Sequence, residues 1–151
     1  VLAAALPRRG RFIAAAEFLD MPVVGWAMRA YGGIPVRRGQ VDLSVIKDAA
    51  RALEAGTLVV IFPEGRVSPL GGAVKAGAGV LAARAGVPTV PAALLGTARA
   101  LPLGCYIPRP VKVRVVFGPP LPPPSSPDRA AADQTVEAAL TWVRDVVRRA
   151  P

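Results

Sequence analysis

Short apolar runs alternate along this chain with segments whose apolar positions recur at helical spacing. The clearest run covers residues 58–62, which are all apolar, rich in β-branched side chains and bounded by turn residues. Such a run is typical of a strand buried on both faces of a parallel sheet. The preceding segment has apolar residues at Ile46, Ala50 and Leu53, which is helical spacing. We therefore predict a helix there, with Asp42 as its N-cap.

The same criteria predict the elements of the remaining chain. Residues 118–127 hold six prolines and predict a stiff connector. Ser126 is the expected N-cap of the last helix, with Pro127 at its first position. The apolar face of this last helix is predicted to consist of Val136, Leu140, Val143 and Val147. The other predicted elements are strands at 11–16, 34–36, 89–95 and 111–117, helices at 21–31 and 76–85, and an irregular segment at 98–110.

Alternating strands and helices predict an α/β fold, with a mixed, largely parallel sheet flanked by helices. Two charged clusters follow predicted strands: Arg37 and Arg38 come first, and Glu64, Gly65 and Arg66 follow the apolar run. Ligands of such sheets bind in the crevice at the carboxyl ends of the strands, and guanidinium groups hold phosphate well. The two clusters therefore mark a candidate anion site. By itself, each cluster is also explained as ordinary charge on a solvated surface.

Composition narrows the class of protein. The 151 residues are 52% hydrophobic, which suits a single domain with a core at 1–120 and a proline connector and C-terminal helix at 121–151. The formal charge of +9 attracts phosphorylated metabolites, anionic lipids or nucleic acid without choosing among them. The chain contains no histidine, the commonest general base near neutral pH. Its one cysteine, Cys105, excludes an internal disulfide and a Cys-rich metal cluster, and we expect it to be structural.

Three sequence blocks occur in a fixed order along the chain. They consist of Gly32, Ile34 and Arg38, then Phe62, Pro63, Glu64 and Gly65, and then Val87, Pro88 and Pro91. In this order the blocks resemble those of the 1-acylglycerol-3-phosphate (lysophosphatidate) acyltransferases, and the similarity extends to about Pro120. Lys75 also lies where that family often has a Lys-x-Gly pair. The second block departs from the common pattern, because Arg66 stands one place earlier than the family's usual arginine.

The resemblance implies a glycerolipid acyltransferase-like fold and a reaction of phospholipid biosynthesis. An acyl group would pass from acyl-CoA or acyl carrier protein to lysophosphatidate or a similar glycerophosphate acceptor, with no cofactor and no metal. By the same resemblance Arg38, Glu64, Gly65 and Arg66 would hold the glycerophosphate, and Lys75 is a weaker candidate for that role.

The family's catalytic His-x-x-x-x-Asp block lies upstream of the segment that resembles residues 1–10. We therefore expect an N-terminally truncated domain that is inactive alone, because its histidine lies outside this sequence. The alternative is a non-catalytic module that binds phospholipid or phosphate.

The lipid acceptor implied by the resemblance predicts a cytoplasmic protein that is peripheral at the inner face of the cell membrane. No apolar run reaches the roughly 20 residues of a membrane span. Candidate membrane contacts are residues 21–31, including Trp26, and the basic residues Arg8, Arg9 and Arg11. Core packing is the alternative for 21–31. Nucleic acid is not an expected partner, because an aromatic stacking platform is lacking.

Overall fold

Strands and helices alternate along the chain as predicted. The computed structural model of this chain describes residues 2–15, 25–26, 29–30, 32–36, 43–62, 77–102, 105, 107 and 109–150. The strands are β1 (Gly10–Ala15), β2 (Ile34–Val36), β3 (Leu58–Ile61), β4 (Ala92–Leu95) and β5 (Arg114–Phe117). The helices are α1 (Leu2–Ala5), α2 (Leu43–Glu54), α3 (Gly77–Ala85), α4 (Thr97–Ala100) and α5 (Arg129–Arg149).

The first three strands form one parallel sheet in the order β2-β1-β3. Ile13 of the central strand lies opposite Ile34 on one side and Ile61 on the other. The carboxyl ends of all three strands therefore lie at the same edge. The other two strands, β4 and β5, form an antiparallel pair in which Ala92 lies opposite Phe117. The predicted mixed, largely parallel α/β architecture is confirmed.

The core on one face of the parallel sheet is formed by β2, α2 and α3. Its buried residues are Ile34, Val45, Ala49 and Leu81. The stripe predicted on α2 packs against them but is only partly buried, and the fully buried face lies one residue earlier, at Val45, Ala49 and Ala52. Gly56 follows the end of α2 with a φ of 72°, as predicted for a helix stop. The predicted N-cap, Asp42, lies outside the described residues.

The prediction for β3 is right in its pairing and wrong in its burial. All four residues of β3 are half-buried, and Phe62, predicted as its fifth residue, lies outside the strand and is 49% exposed. In the described sheet β3 pairs with β1 alone, so it is an edge strand there. A continuous apolar run thus indicates a strand of a parallel sheet without fixing how deeply the strand lies.

One further element differs from its prediction, and another agrees with it. Residues 98–100, predicted within the irregular segment at 98–110, belong to α4, a single helical turn that follows Gly96. Gly96 has a φ of 85°, so the chain turns there before the helix begins. In the predicted helix at 21–31, the four described residues, 25–26 and 29–30, are helical.

The last helix, α5, is capped by Asp128 and not by the predicted Ser126. The Asp128 carboxylate accepts a hydrogen bond of 2.8 Å from the backbone N–H of Ala131. The Ser126 hydroxyl donates to the same carboxylate and so supports the cap. Pro127 consequently precedes the cap and does not occupy the first helical position. An aspartate at this place competes successfully because its longer carboxylate reaches the first-turn N–H groups.

The apolar face of α5 is buried only in its N-terminal half. Ala132, Val136 and Leu140 are buried, whereas Val147, predicted on the same face, is 49% exposed. The N-terminal half packs on α3 at a very short distance. A Cβ added to Gly79 would lie 2.7 Å from the Cα of Ala132 and would overlap its carbonyl oxygen. Only glycine permits this approach of the two backbones.

We predict that Gly79→Ala destabilises the fold by about 1–3 kcal/mol, because the added methyl group forces α3 and α5 apart. Gly77→Ala is the matched control on the same helix, since its Cβ would meet nothing within 4 Å. The control should be neutral or slightly stabilising, because alanine favours helix. Urea unfolding of both variants measures the difference. Equal stabilities for the two variants would contradict the close approach.

The cap of α5 makes part of the stability depend on pH. The Ala131 N–H first, and then the Ser126 hydroxyl, hold the pKa of Asp128 below its ordinary value. Because this pKa is lower in the folded chain than in the unfolded one, the ionised cap stabilises the fold above the ordinary aspartate value, near pH ~4. The contribution is lost as the pH falls through the lowered pKa.

We therefore predict that Asp128→Ala lowers the free energy of unfolding at neutral pH, and that its difference from the wild type shrinks in acid. Asp128→Asn keeps a capping side chain that does not titrate, so it is the control. Its advantage over the alanine variant should be the same at every pH. Unfolding curves recorded at about pH 7 and about pH 3 test this, and a constant wild-type advantage over alanine would contradict it.

Candidate functional site

The sequence predicts the candidate site at the carboxyl edge of the parallel sheet. There β1 separates β2 from β3, which puts the two outer strands about 10 Å apart, or two strand spacings. Val36, the last residue of β2, lies opposite Ala15, and Ile61, the last residue of β3, lies opposite Ile13. The strands that precede both charged clusters in the sequence therefore end at one edge of the sheet.

The predicted site residues themselves lie outside the described part of the chain. They are Arg38, Glu64, Gly65, Arg66 and Lys75. That these residues form one site stays a prediction. The described residues fix only the strands that precede them. Phe62, which opens the second block, is described: it follows β3 directly and leaves about half its side chain exposed. Sequence reasoning placed this phenylalanine in a buried strand, and no pattern in the run distinguishes it from its neighbours.

Arg11 fixes the turn that leads into β2. Its Nε–H donates a hydrogen bond of 3.0 Å to the carbonyl oxygen of Gly32, and the pair is partly buried. Gly32 has a φ of 66°, a conformation that side chains other than glycine rarely adopt. The glycine of the first block is thus explained by backbone geometry. Arg11, a candidate membrane contact by sequence, is engaged inside the fold, whereas Arg8 and Arg9 are exposed.

The third block shapes the connection from α3 to β4. Thr89 and Leu121 exchange two backbone hydrogen bonds of 2.9 and 2.8 Å, which tie the proline connector to this block. Pro91 is buried, and its carbonyl oxygen accepts from the N–H of Gly118 at 2.8 Å. The prolines of the block therefore have a structural role here, and we assign them no ligand.

The described residues also test the predictions made for Trp26, Cys105 and a membrane span. Trp26 is 69% exposed, so it does not pack in the core. Cys105 is exposed, so the structure gives it no packing role. Among the described residues no helix is long and apolar enough to span a bilayer, and no group of three or more His, Cys, Asp or Glu side chains is arranged to bind a metal ion.

Comparison with known proteins agrees with the fold and the order of the blocks. The sequence model of the family described as Acyltransferase matches residues 1–95, which contain all three blocks. The crystal structure of the 1-acyl-sn-glycerophosphate acyltransferase PlsC from Thermotoga maritima superposes with a TM-score of 0.70 and 27% sequence identity. That match covers 96% of this chain and 60% of the Thermotoga chain.

Curated relatives give the same result. The chloroplastic 1-acyl-sn-glycerol-3-phosphate acyltransferase BAT2 of Brassica napus is 39% identical over 100 residues, which are 62% of this chain and 28% of that protein. A 1-acyl-sn-glycerol-3-phosphate acyltransferase of Pseudomonas aeruginosa is 31% identical over 136 residues, which are 87% of this chain and 52% of that protein. The chain thus spans about a quarter to a half of the length of these relatives.

The parallel sheet and its ordered blocks define an α/β protein with the architecture of a glycerolipid acyltransferase. The chain belongs to the acyltransferase family. The resemblance drawn from the three blocks is confirmed by these matches.

We predict that Arg11→Met destabilises the fold by about 1–2 kcal/mol, because it keeps the alkyl packing and removes the donor to Gly32. Arg9→Met is the control, since Arg9 is exposed and precedes the strand. Chemical unfolding of the two variants measures the effect. A loss of similar size in Arg9→Met would show that net charge, and not the hydrogen bond, is responsible.

Proposed function

We propose that this chain forms the acceptor-binding part of an enzyme of phospholipid biosynthesis. The enzyme transfers an acyl group from acyl-CoA or acyl carrier protein to lysophosphatidate or a similar glycerophosphate. The proposal is supported by the family of the chain and by relatives whose names describe this activity. The observation that carries it is the parallel pairing of β1 with both β2 and β3, the strands that precede the two charged blocks.

The register makes the two blocks suitable for one ligand. Val36 and Ala15 share a level of the sheet, and Ile61 ends two residues below that level, opposite Ile13. Counted along the sequence from the shared level, Glu64 comes one residue beyond it and Arg38 two residues beyond it. The two blocks therefore follow strands that end within two residues of the same level and about 10 Å apart, which supports a shared site for Arg38 and Glu64.

In the proposed site Arg38 and Arg66 hold the phosphate of the acceptor, with Lys75 adding positive charge. Guanidinium groups suit this role because they form two parallel hydrogen bonds to phosphate oxygens. Glu64 accepts a hydrogen bond from a glycerol hydroxyl or orients one of the arginines. Gly65 lets the backbone come close to the ligand. Holding the acceptor in this way lowers the barrier through positioning, which is worth several kcal/mol when the geometry is good.

The reaction itself is a direct transfer. The acceptor hydroxyl oxygen attacks the thioester carbonyl carbon, the carbon–sulfur bond breaks as the new ester forms, and the leaving thiolate takes back the proton that the base removed from the hydroxyl. The hydroxyl proton passes to a general base, which supplies roughly 10²–10⁴-fold in rate. The chain has no histidine for this step. In the proposed enzyme the base is the histidine of the family's His-x-x-x-x-Asp block, which this sequence does not contain. The thioester is already activated, so no cofactor is needed.

The proposed acceptor and product are lipids, so the enzyme works at a membrane surface. We place it at the inner face of the cell membrane, where acyl-CoA and acyl carrier protein are available. The chain's formal charge of +9 favours contact with anionic headgroups.

A second candidate function is binding without catalysis, and its one support is that the chain has no histidine. The chain would then be a module that binds phospholipid or phosphate without turnover. The two functions share the anion site and differ in whether a base reaches the acceptor hydroxyl. An experiment that joins the His-x-x-x-x-Asp block to this chain distinguishes the two functions.

The test uses two proteins: this chain alone, and the chain joined at Val1 to a family segment that carries the His-x-x-x-x-Asp block. Thiol release from acyl-CoA is measured with lysophosphatidate and with a monoacylglycerol that lacks phosphate. We expect no turnover from the chain alone. We expect turnover from the joined protein, with a strong preference for the phosphorylated acceptor.

In the joined protein, Arg38→Gln and Glu64→Gln should each lower kcat/KM for lysophosphatidate by about 10²-fold, because both remove positioning of the acceptor. Arg84→Gln and Glu54→Gln are matched controls, since both residues are exposed on helices. They should leave kcat/KM unchanged. Full activity in the Arg38 and Glu64 variants would overturn the site. Binding of lysophosphatidate without turnover in the joined protein would favour the second candidate function.

A further inference from the structure

The connection between β4 and β5 is much longer than the pairing of these strands requires. Leu95 lies opposite Arg114, so a tight hairpin of a few residues would join them, yet the chain uses residues 96–113. The connection begins with α4 and then returns. Its two limbs are held together by a hydrogen bond of 2.7 Å from the Arg109 N–H to the carbonyl oxygen of Ala100. Closed surface loops of this kind are frequently functional.

Apolar side chains of this loop point into solvent. Ile107 is 82% exposed and Leu101 is 49% exposed, and Val111 is also exposed. The bond between Ala100 and Arg109 brings the backbones of the first and last limbs together, so exposed residues of both limbs lie in one region of the loop. Several exposed apolar side chains in one loop are typical of a surface that contacts a partner.

The same surface is strongly basic. Arg99, Arg109 and Lys112 are exposed and interspersed along the sequence with these apolar residues, and none of them forms an ion pair within the described part of the chain. The sequence contains no Asp or Glu between Glu64 and Asp128. We define the basic–apolar patch as Arg99, Leu101, Ile107, Arg109, Val111 and Lys112.

We propose that the basic–apolar patch docks the protein on an anionic lipid bilayer. Apolar side chains enter the boundary of the acyl chains while neighbouring cations remain with the lipid phosphates, and the patch has both kinds of residue side by side. An acidic protein would satisfy the cations but would also need a pocket matched to the exposed Ile107, whereas a bilayer accepts an apolar side chain without one. On a bilayer all six residues of the patch would make favourable contacts, the apolar ones with acyl chains and the basic ones with phosphates. The inference extends the proposed function, and its test requires no turnover, so either proposal can fail alone.

The C-terminal half of α5 supplies matched controls. Val147 is exposed there beside Arg148 and Arg149, as Leu101 is beside Arg99. Acidic residues also lie on this helix, and Arg144 approaches Glu137 at 3.7 Å. If binding to lipid depended only on the excess of positive charge over the whole chain, changes in α5 would weaken it as much as changes in the patch.

Insertion is measured directly at Cys105, because it is the chain's one cysteine and is exposed within the loop. The full chain is labelled there with a polarity-sensitive fluorophore and mixed with vesicles of phosphatidylcholine and phosphatidylglycerol. We expect a blue shift and a severalfold rise in emission. The same label on a Cys105→Ser, Val147→Cys variant should not respond. Vesicle binding with no response at Cys105, or with an equal response at both positions, would overturn the proposal.

Co-sedimentation with the same vesicles then measures affinity. The triple variant Arg99→Gln, Arg109→Gln, Lys112→Gln should bind roughly 100-fold more weakly. The control Arg144→Gln, Arg148→Gln, Arg149→Gln, with the same change in charge, should bind nearly as the wild type does. Leu101→Ser with Ile107→Ser should weaken binding about 10-fold even at low salt, unlike Val147→Ser. Equal losses from patch and control variants, or a preference for a soluble acidic protein over vesicles, would overturn the proposal.

Discussion

The parallel pairing of β1 with both β2 and β3 is the constraint on which the candidate site depends. The two charged blocks are separated in sequence by a helix and a strand, and only this pairing brings their strands to one edge. The strands are short, so their own hydrogen bonds are few. Burial of Ile34 and Ala49 between sheet and helix therefore contributes much of what keeps the register, because a slip of one residue would expose Ile34 to solvent.

The buried positions of the described chain as a whole are rich in small residues. Half of the ten buried hydrophobic residues there are alanines, and none of the large side chains is fully buried. Close approach of backbones replaces large side chains, most clearly where α3 meets α5 at Gly79 and Ala132. The low aromatic content of 5% is consistent with such a core. Added volume is therefore poorly tolerated at these contacts, because backbone atoms cannot move aside as a flexible side chain can.

Patterns within a few residues of sequence predicted most helices and strands. Contacts between residues distant in sequence could not be predicted in this way. The strand at 34–36 and the helix after residue 42 follow from turn residues and spacing that act within a few positions. The cap of α5 was missed because Ser126 and Asp128 are both good caps, and only the folded geometry chooses between them. The bond from Arg11 to Gly32 depends on strand register, which no local pattern reveals. The burial of β3 depends on its neighbours in the sheet, and apolar residues alone do not specify them.

The distribution of charge connects the proposed acceptor site with the proposed membrane surface. Residues 65–127 hold seven of the 19 basic residues and none of the 10 acidic ones, so this stretch accounts for seven of the nine net charges. It contains Arg66 and Lys75 of the proposed site as well as the basic–apolar patch. A field of one sign over both regions would draw the protein to an anionic bilayer and favour a phosphorylated acceptor there. Because surface charges are screened by salt, exposed apolar residues such as Ile107 would supply the part of the attachment that screening cannot remove.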